Sequence, residues 1–584
     1  LESATKESAN ILAEMLADHP LAIAISSSYI KLHPSLDIDN YKSIYLKYRD
    51  ELVKNENELV QDSAHEIIAL NNYNKPLSQV LNISLKEIKN QNKLSFDIIS
   101  LFSLLYHNNI PYCLAKKYAL EVQKVSELEF EKAISLLINY SLISFTKYEN
   151  KVENNIKLFS IHETIQMAIK DIMSQSDKIE YLEYNTLLLN SFLPSKIDKL
   201  VNIVSTDPYW GYHQESIIKQ GNDLIPLDPN LIDLMIKDLE KAIWWLDYDR
   251  GHKLIATLDQ TIPELEHNST TYKRLRAKYY LYKANFYDLE YQDQNLILGL
   301  YHQAIILFEN DENYCNELYT VHALLSQSYG MHGDVNNAFE EIIKSKEIIE
   351  KNGDKISNQG LFYHIIAWLY MEKGQYLEAL KYIETGIKIE EILPFDTSSI
   401  ANYLLKSEIL IKQGNYQNAR DLIHSLYDKT LKILPKNTNH ELFSRILTLL
   451  AKAENSLGNI KDAEFYIKQS EKIINEFYGV DKYNADISLS MLVKADILFS
   501  KKLYSEAFNQ YKVAENSYKK SFAKQEIEYV SDIYSNIIKT SVLLNDAYSV
   551  NYYYDLFKEN YGLENKKLKE LIHFLLKNNI KIEL

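Results

Sequence analysis

GDVNNAF (Gly333–Phe339), GQYLEAL (Gly374–Leu380), GNYQNAR (Gly414–Arg420), GNIKDAE (Gly458–Glu464) and KLYSEAF (Lys502–Phe508) align without gaps. In each, a turn residue is followed five positions later by an alanine: Ala338, Ala379, Ala419, Ala463 and Ala507. The alanines are spaced by 41, 40, 44 and 44 residues. A weaker sixth turn lies near Asn545, with Val550 in the alanine place, and a degenerate earlier unit runs through Ala284, Tyr287, Tyr301 and Ala304. Glycine at the turn ends a helix in the left-handed conformation at low steric cost. The alanine lets the next helix pack closely. Seven positions before each turn stand Ser326, Ala367, Ser407, Ala451 and Ala495, also small, so two small positions face each other in an antiparallel pair. Four residues past the alanines, Ile342, Ile383, Ile423, Ile467 and Tyr511 continue an apolar stripe. A repeat of helix pairs follows.

Composition agrees. The 584 residues include only 14 glycines and 11 prolines, against roughly 7% glycine in average chains. Turn-rich sandwiches, barrels and propellers are disfavoured. Nine prolines precede residue 264, and only Pro394 and Pro435 follow, so the second half is expected to be the more regular. The first glycine is Gly211. A phosphate-cradling GxxxxGK[ST] or GxGxxG loop needs glycine for close backbone approach, and none can be built before that point. No GK[ST] occurs later. The net charge of −16 argues against a nucleic-acid partner. With only Cys113 and Cys315 there is no disulfide framework and no CxxC zinc site, which fits a reducing, cytoplasmic compartment. No apolar run approaches the length of a membrane span, so no membrane partner is expected. The chain begins on Leu1 rather than Met and is read as part of a longer or processed protein.

The repeat pattern resembles the tetratricopeptide repeat (TPR), with each helix lengthened by roughly one turn over the usual unit. Segments such as FYGVDKYNADISLSMLVKADILFSKKLYSEAFNQYKVAENSY are similar to the longer repeats of kinesin light chains and of bacterial signalling proteins. The resemblance implies a concave face lined by the first helix of each pair and open to a protein or peptide ligand. In the family register its positions fall on Gln327, His364, Trp368, Met371, Glu408, Arg445, Lys452 and Asn455. The mixture does not copy the basic clamp with which some TPRs hold acidic chain ends.

HPLAIAISSSYI (His19–Ile30) is two helical segments joined at a proline, with Asp18-His19 placed to cap the second. It resembles the GLPLAL segment of NB-ARC domains in signal-transduction NTPases (the STAND class). LSFDIISLFSLLYHNNIPYCLAKKYAL (Leu94–Leu120) resembles the first helix and Ile-Pro turn of that family's winged-helix domain. Ser141–Thr146 alternates as a strand should, a polar turn covers Glu149–Asn155, and Leu158–Ile161 and a helix from Glu163 follow. IHETIQ (Ile161–Gln166) then stands where the family carries its "MHD" or "VHRLVQ" motif. The resemblance implies that Pro20 packs near the adenine of a bound nucleotide and that His162 contacts the β-phosphate of ADP in a closed state. The Walker A domain is missing from this chain, so ADP or ATP is expected only with an upstream nucleotide-binding domain.

The expected architecture is all-α dominated. A helical NB-ARC-like region spans 1–92, a small winged-helix-like domain 93–175, a helical connector 176–270, and an α-solenoid of about six to seven TPR-like pairs 271–584. The expected function is a fragment of a nucleotide-dependent signalling switch, a bacterial STAND NTPase, whose solenoid binds a protein or peptide and whose winged-helix region latches the closed state. Self-oligomerisation belongs to that reading, and secretion into a host cell is left open beside the cytoplasm. The alternative is a stand-alone TPR adaptor without nucleotide binding. No enzyme is expected: GxSxG is absent, HETIQ has Gln166 where a zinc-binding HExxH needs its second histidine, Cys113 reads as a core thiol, and the carboxylates lie among lysines as on a solvated face.

Overall fold

The computed structural model describes residues 6–47, 75–148, 156–193, 210–245, 247–265, 269–290, 293–309, 314–353, 356, 359–390, 397–433, 441–478, 485–521, 528–562, 566–578 and 580. They form two compact units, one comprising 1–241 with 256–266, the other 242–255 with 267–584. The helical stretch 176–270 contributes to both.

In the first unit the strands are short. β1 (Ile110–Pro111), β2 (Ile143–Tyr148) and β3 (Ile156–Ile161) form an antiparallel sheet in the order β1-β3-β2. Phe159 on β3 is opposite Ile110 on one side and Phe145 on the other. Its ring lies 5.5 Å from Phe102 of the helix Lys93–Leu104, which ties the sheet to the helical core. Pro111 suits an edge strand because it has no N–H to donate. The strand expected to start at Ser141 starts at Ile143 instead, since Ser141 turns the chain with a φ of 59°. The polar turn 149–155 lies outside the described residues.

The flanking helices are locally encoded. Asn92 caps Lys93–Leu104 by accepting from the Ser95 N–H. Ser126 and Glu129 form a reciprocal capping box on Glu127–Asn139. Pro20 opens Pro20–Leu32 as expected, but the cap does not form as read: His19 holds the cap position without a side-chain bond, and Asp18 takes a positive φ of 52°. That conformation makes Asp18 part of the reversal before the helix rather than its cap. Cys113 also departs from expectation. It is exposed at the start of Tyr112–Lys117, because Leu114 and Ala115 supply that helix's buried face.

The second unit is a solenoid. Helix pairs are Thr270–Leu289 with Gln294–Phe308, Cys315–Met331 with Val335–Asn352, Gln359–Glu372 with Tyr376–Glu390, Thr397–Lys412 with Tyr416–Ile433, Glu441–Ser456 with Ile460–Tyr478, Ala485–Ser500 with Tyr504–Ser521, and Glu528–Leu543 with Ala547–Tyr561. Lys566–Lys577 follows. The turns repeat one geometry. Gly333, Gly374, Gly414 and Gly458 have φ between 70° and 86°, and Lys502 and Asn545 take the same left-handed region at 62° and 56°. The residue after each turn donates its N–H to the carbonyl five residues back, as in Gln375 to Tyr370 and Asp546 to Ser541. All ten small residues of the repeat register have no exposed surface. Ser326 uses this closeness to donate its hydroxyl to the Ala338 carbonyl at 2.7 Å. First helices pack against the first helices of neighbouring pairs and form the inner layer. No helix among the described residues is long and apolar enough to cross a membrane.

Candidate functional site on the inner helix layer

The inner layer is where the register placed its ligand-facing side chains. Six positions before the turns stand Gln327, Trp368, Glu408 and Lys452, one residue past the buried small position. The same offset reaches Asp496 and Lys539, which the sequence reading did not single out (502 − 6 and 545 − 6). The Arg445 offset likewise reaches Asp532 (458 − 13 and 545 − 13). The signal was therefore present: Asp496 follows from the aligned turn at Lys502, whereas Lys539 and Asp532 become visible only when the turn at Asn545 is accepted as a full member of the series.

The structure brings one group of these residues together. Arg445 lies between Glu408 at 3.4 Å and Asp486 at 3.5 Å. Asp532 is bridged by two lysines: Lys412 Nζ at 2.7 Å from Oδ2 and Lys567 Nζ at 2.6 Å from Oδ1. Asp496 Oδ1 accepts from the Tyr511 hydroxyl at 2.7 Å and from Asn536 Nδ2 at 3.0 Å. Lys452 stands within the fields of Lys412, Asp532, Asp496 and Glu408. The charged groups come from four first helices and the final helix, and Tyr511 from the second helix Tyr504–Ser521. Lys412 and Asp532 meet although 120 residues separate them, so the layer curves back on itself across three successive pairs.

Electrostatics follow from enclosure. Lys452 is half-buried on the inner layer. Burial, and then the neighbouring Lys412, lower its pKa. Burial also raises the Asp496 carboxyl to about 6, against the pull of Lys452 and the Tyr511 bond. For Asp532 burial acts upward too, but Lys412, Lys567 and Lys452 overrule it and hold the carboxyl far below the ordinary range. The expectation that the carboxylates form a solvated face fails here: Glu408 is 1% exposed and its Oε1 has no hydrogen-bond partner among the described residues. Helical spacing with lysines cannot tell an outer face from an inner one.

The remaining candidates separate from this group. His364 donates from Nδ1 to Asn402 Oδ1 at 2.8 Å, and Asn402 Nδ2 donates to Glu390 Oε2 at 2.7 Å. Burial pushes the imidazole down to about 4 despite the Asn402 bond. Trp368 is half-buried and stacks over the first-helix backbone at Gly330, where an added Cβ would meet its ring at 2.6 Å. Gln327 is half-buried on Cys315–Met331. Met371 is a correction. It is 1% exposed inside the apolar cluster with Ala367, Ala379 and Ile383, because its register position faces the second helix. Asn455, at the same offset from its turn, is half-buried, and its Oδ1 is buried without a partner among the described residues.

Pro20 and His162 sit in the other unit. Pro20 is exposed at the first helical position. His162 is exposed and caps Glu163–Ile172, with Nδ1 accepting from the Thr164 N–H at 3.2 Å. Its proton then resides on Nε2. Gln166, which ended the zinc motif, is 6% exposed and donates to the Phe102 and Leu105 carbonyls at 2.8 and 2.9 Å. It clamps the end of Lys93–Leu104. Among the described residues no three metal-ligating side chains converge. An exposed proline and one histidine N–H do not make a phosphate cradle, so these residues by themselves do not fit a nucleotide.

No protein-family model matches the sequence, and no curated protein matches it. Solved structures of similar shape include a signal-transduction ATPase with numerous domains and a TPR sensor from Pyrococcus horikoshii, at 17% identity over 95% of this chain and 73% of that one, with a TM-score of 0.43. A Rap protein complexed with competence and sporulation factor shares 13% identity over 59% of this chain and 90% of its own, TM-score 0.41. NprR in complex with its cognate peptide NprX shares 12% over 59% and 96%, TM-score 0.41. The class that the repeat geometry defines is an α-solenoid of TPR-type helix pairs.

Proposed function

We propose that the chain is an interaction module whose inner helix layer receives a protein or peptide segment. One observation carries the reading: charged and polar side chains from successive first helices converge on this layer, and buried acceptors there, Glu408 Oε1 and Asn455 Oδ1, have no donor among the described residues. A purely structural inner face would be expected to satisfy or omit such groups. A peptide supplies main-chain N–H donors at the required spacing. The test is selection of short random peptides on the immobilised full chain, beside an Arg445→Glu, Lys452→Glu variant. Enrichment on the native chain and its loss on the variant supports the module; identical peptides on both, or none on either, would overturn it.

We further propose that residues 93–172 act as the winged-helix side of a STAND-type switch. The order helix, β1, helix, helix, β2, β3 supports this, as does the exposed His162 with its proton on Nε2. The phosphate loop would come from a segment other than residues 1–584. The chain alone is therefore expected to show no ADP binding by calorimetry and no ATP turnover. Turnover lost on substituting a residue of this chain sinks that view. The adaptor reading shares the first experiment and dispenses with the second.

A further inference from the structure

We propose that a cavity between the second helices of the fourth and fifth pairs is a site for a small organic cation with an apolar body, its ammonium head held against aromatic rings and the Asp428 carboxylate. The cavity opens on the outer layer of the solenoid and does not depend on a peptide binding to the inner one.

The cavity measures about 480 Å³, within the roughly 300–1,000 Å³ of small-molecule sites. Its floor is apolar, made by Leu447 and Leu450 of the first helix Glu441–Ser456. One wall is Tyr416–Ile433, which presents His424, Tyr427 and Asp428 at i, i+3 and i+4 of one face. The other is Ile460–Tyr478, with Phe465, Tyr466 and Gln469. The Phe465 and Tyr466 rings meet edge to face at 5.5 Å, and Tyr466 stands 6.0 Å from the His424 ring. Phe465 is 58% exposed. Its place, two residues past the register alanine, is polar in the other four aligned units: Glu340, Lys381, Asp421 and Asn509. The helix pair therefore needs no aromatic there for its own packing, and the ring walls the cavity instead.

Charge selects the ligand. Asp428 is exposed at the cavity, and no lysine or arginine is among the described residues that line it. His424 Nε2 is 3.9 Å from Oε1 of the buried Glu454, so a proton on that ring is countered by a carboxylate. Glu454 and Asp462 act on the Tyr466 hydroxyl, and the opposing Arg420 is itself bonded to Asp421. An anion would find no lysine or arginine in the lining. A cation finds a carboxylate and the negative faces of aromatic rings, which attract ammonium groups. The leucine floor takes its apolar body.

The probe is benzyltrimethylammonium, titrated into the full chain and followed by calorimetry and saturation-transfer NMR. Neutral benzyl alcohol, anionic benzoate and N-acetyl-lysine methylamide, which stands for a lysine of a protein partner, are titrated beside it. The quaternary cation is expected to bind, and the neutral and anionic analogues to bind about fivefold more weakly or not at all. Phe465→Ala and Asp428→Asn should each weaken the cation by about threefold to fivefold, as for a partly exposed cation–π contact and ion pair. Phe465→Tyr should retain binding, and thermal melts matching the native chain check the fold of each variant. Tyr552→Ala, which removes the exposed aromatic at the same register of the seventh pair, should change nothing. Benzyl alcohol or benzoate binding as tightly as the cation, no binding of the cation, or unchanged affinity in both Phe465→Ala and Asp428→Asn overturns the site. Tighter binding of the lysine amide overturns the small-molecule assignment in favour of a protein partner.

Discussion

Lys412, two residues before the fourth pair's turn, places its ammonium 2.7 Å from Asp532 at the start of the seventh pair's first helix. Lys567 of the last helix contacts the other carboxylate oxygen at 2.6 Å. Nearest-neighbour stacking alone does not join repeats so far apart, and solenoid stability is usually a sum of adjacent interfaces. This clasp adds a long-range term to that sum.

Asp532→Asn should therefore destabilise the solenoid by about 3 kcal/mol near neutral pH, because two lysines lose their counter-charge in an enclosed place. The Asp532 carboxyl is depressed well below its ordinary 3.8, so its stabilisation is complete above that value and fades as pH falls below it. Urea titrations at neutral pH and in strong acid should show the difference between variant and native chain shrinking at the acid end. A constant difference, or none, counts against the clasp.

Asp496 behaves oppositely. Its pKa is raised to about 6 from 3.8, by burial above all. The folded chain then holds the proton more tightly than the unfolded one, so this group destabilises progressively from pH 3.8 to about 6 and fully above. Asp496→Asn can still accept from Tyr511 and Asn536. It should stabilise the protein by up to about 3 kcal/mol at pH 8 and leave it unchanged near pH 4. Denaturant midpoints at the two pH values decide the matter.

His364 contributes an acid-sensitive term. Burial lowers it from 6.5 to about 4, with Asn402 opposing and Arg445 adding to the shift. A neutral imidazole in the folded state means stability that is present above pH 6.5 and lost as pH falls through 4. His364→Gln keeps a donor for Asn402 and should remove about 2–3 kcal/mol of the loss between neutrality and pH 4. Thermal melts across that range will show whether the slope flattens.

The turns supply a test free of charge effects. Lys502 occupies with a φ of 62° the place that glycine fills in four other repeats. Lys502→Gly should stabilise by about 1 kcal/mol, and Gly374→Ala, at φ 70°, should destabilise by about the same amount. Equal melting temperatures for Lys502→Gly and the native chain would contradict this.

Much of the solenoid was legible because its signal is local and periodic. A left-handed turn residue, an alanine five places on and a small residue seven places back each answer a steric demand of two close helices, and all ten small positions are indeed buried. The non-glycine turns at Lys502 and Asn545 were legible for the same reason: their neighbours carried the register. Met371 was not. It shares its offset with Asn455, and a register fixes a face only to within the width of one side chain, so one residue joined the apolar cluster and the other stayed polar at its edge. In the first unit the β2–β3 hairpin could be read from alternation, whereas β1 could not, since two residues are too few to show a period.

By itself the sequence determined the repeat, its turns and the small-residue seams, because backbone sterics act over a few residues and leave a fixed spacing behind. It also determined that residues 1–210 contain no glycine from which a phosphate loop could be made. Only the tertiary structure decided which charges meet. Lys412, Lys452, Asp496, Asp532 and Lys567 lie on separate helices, and each reads alone as a solvated side chain. The curvature accumulated over three pairs brings them into one enclosure, where desolvation and short distances make their charges interdependent. Curvature is a sum of small packing angles, and no single stretch of the chain records it.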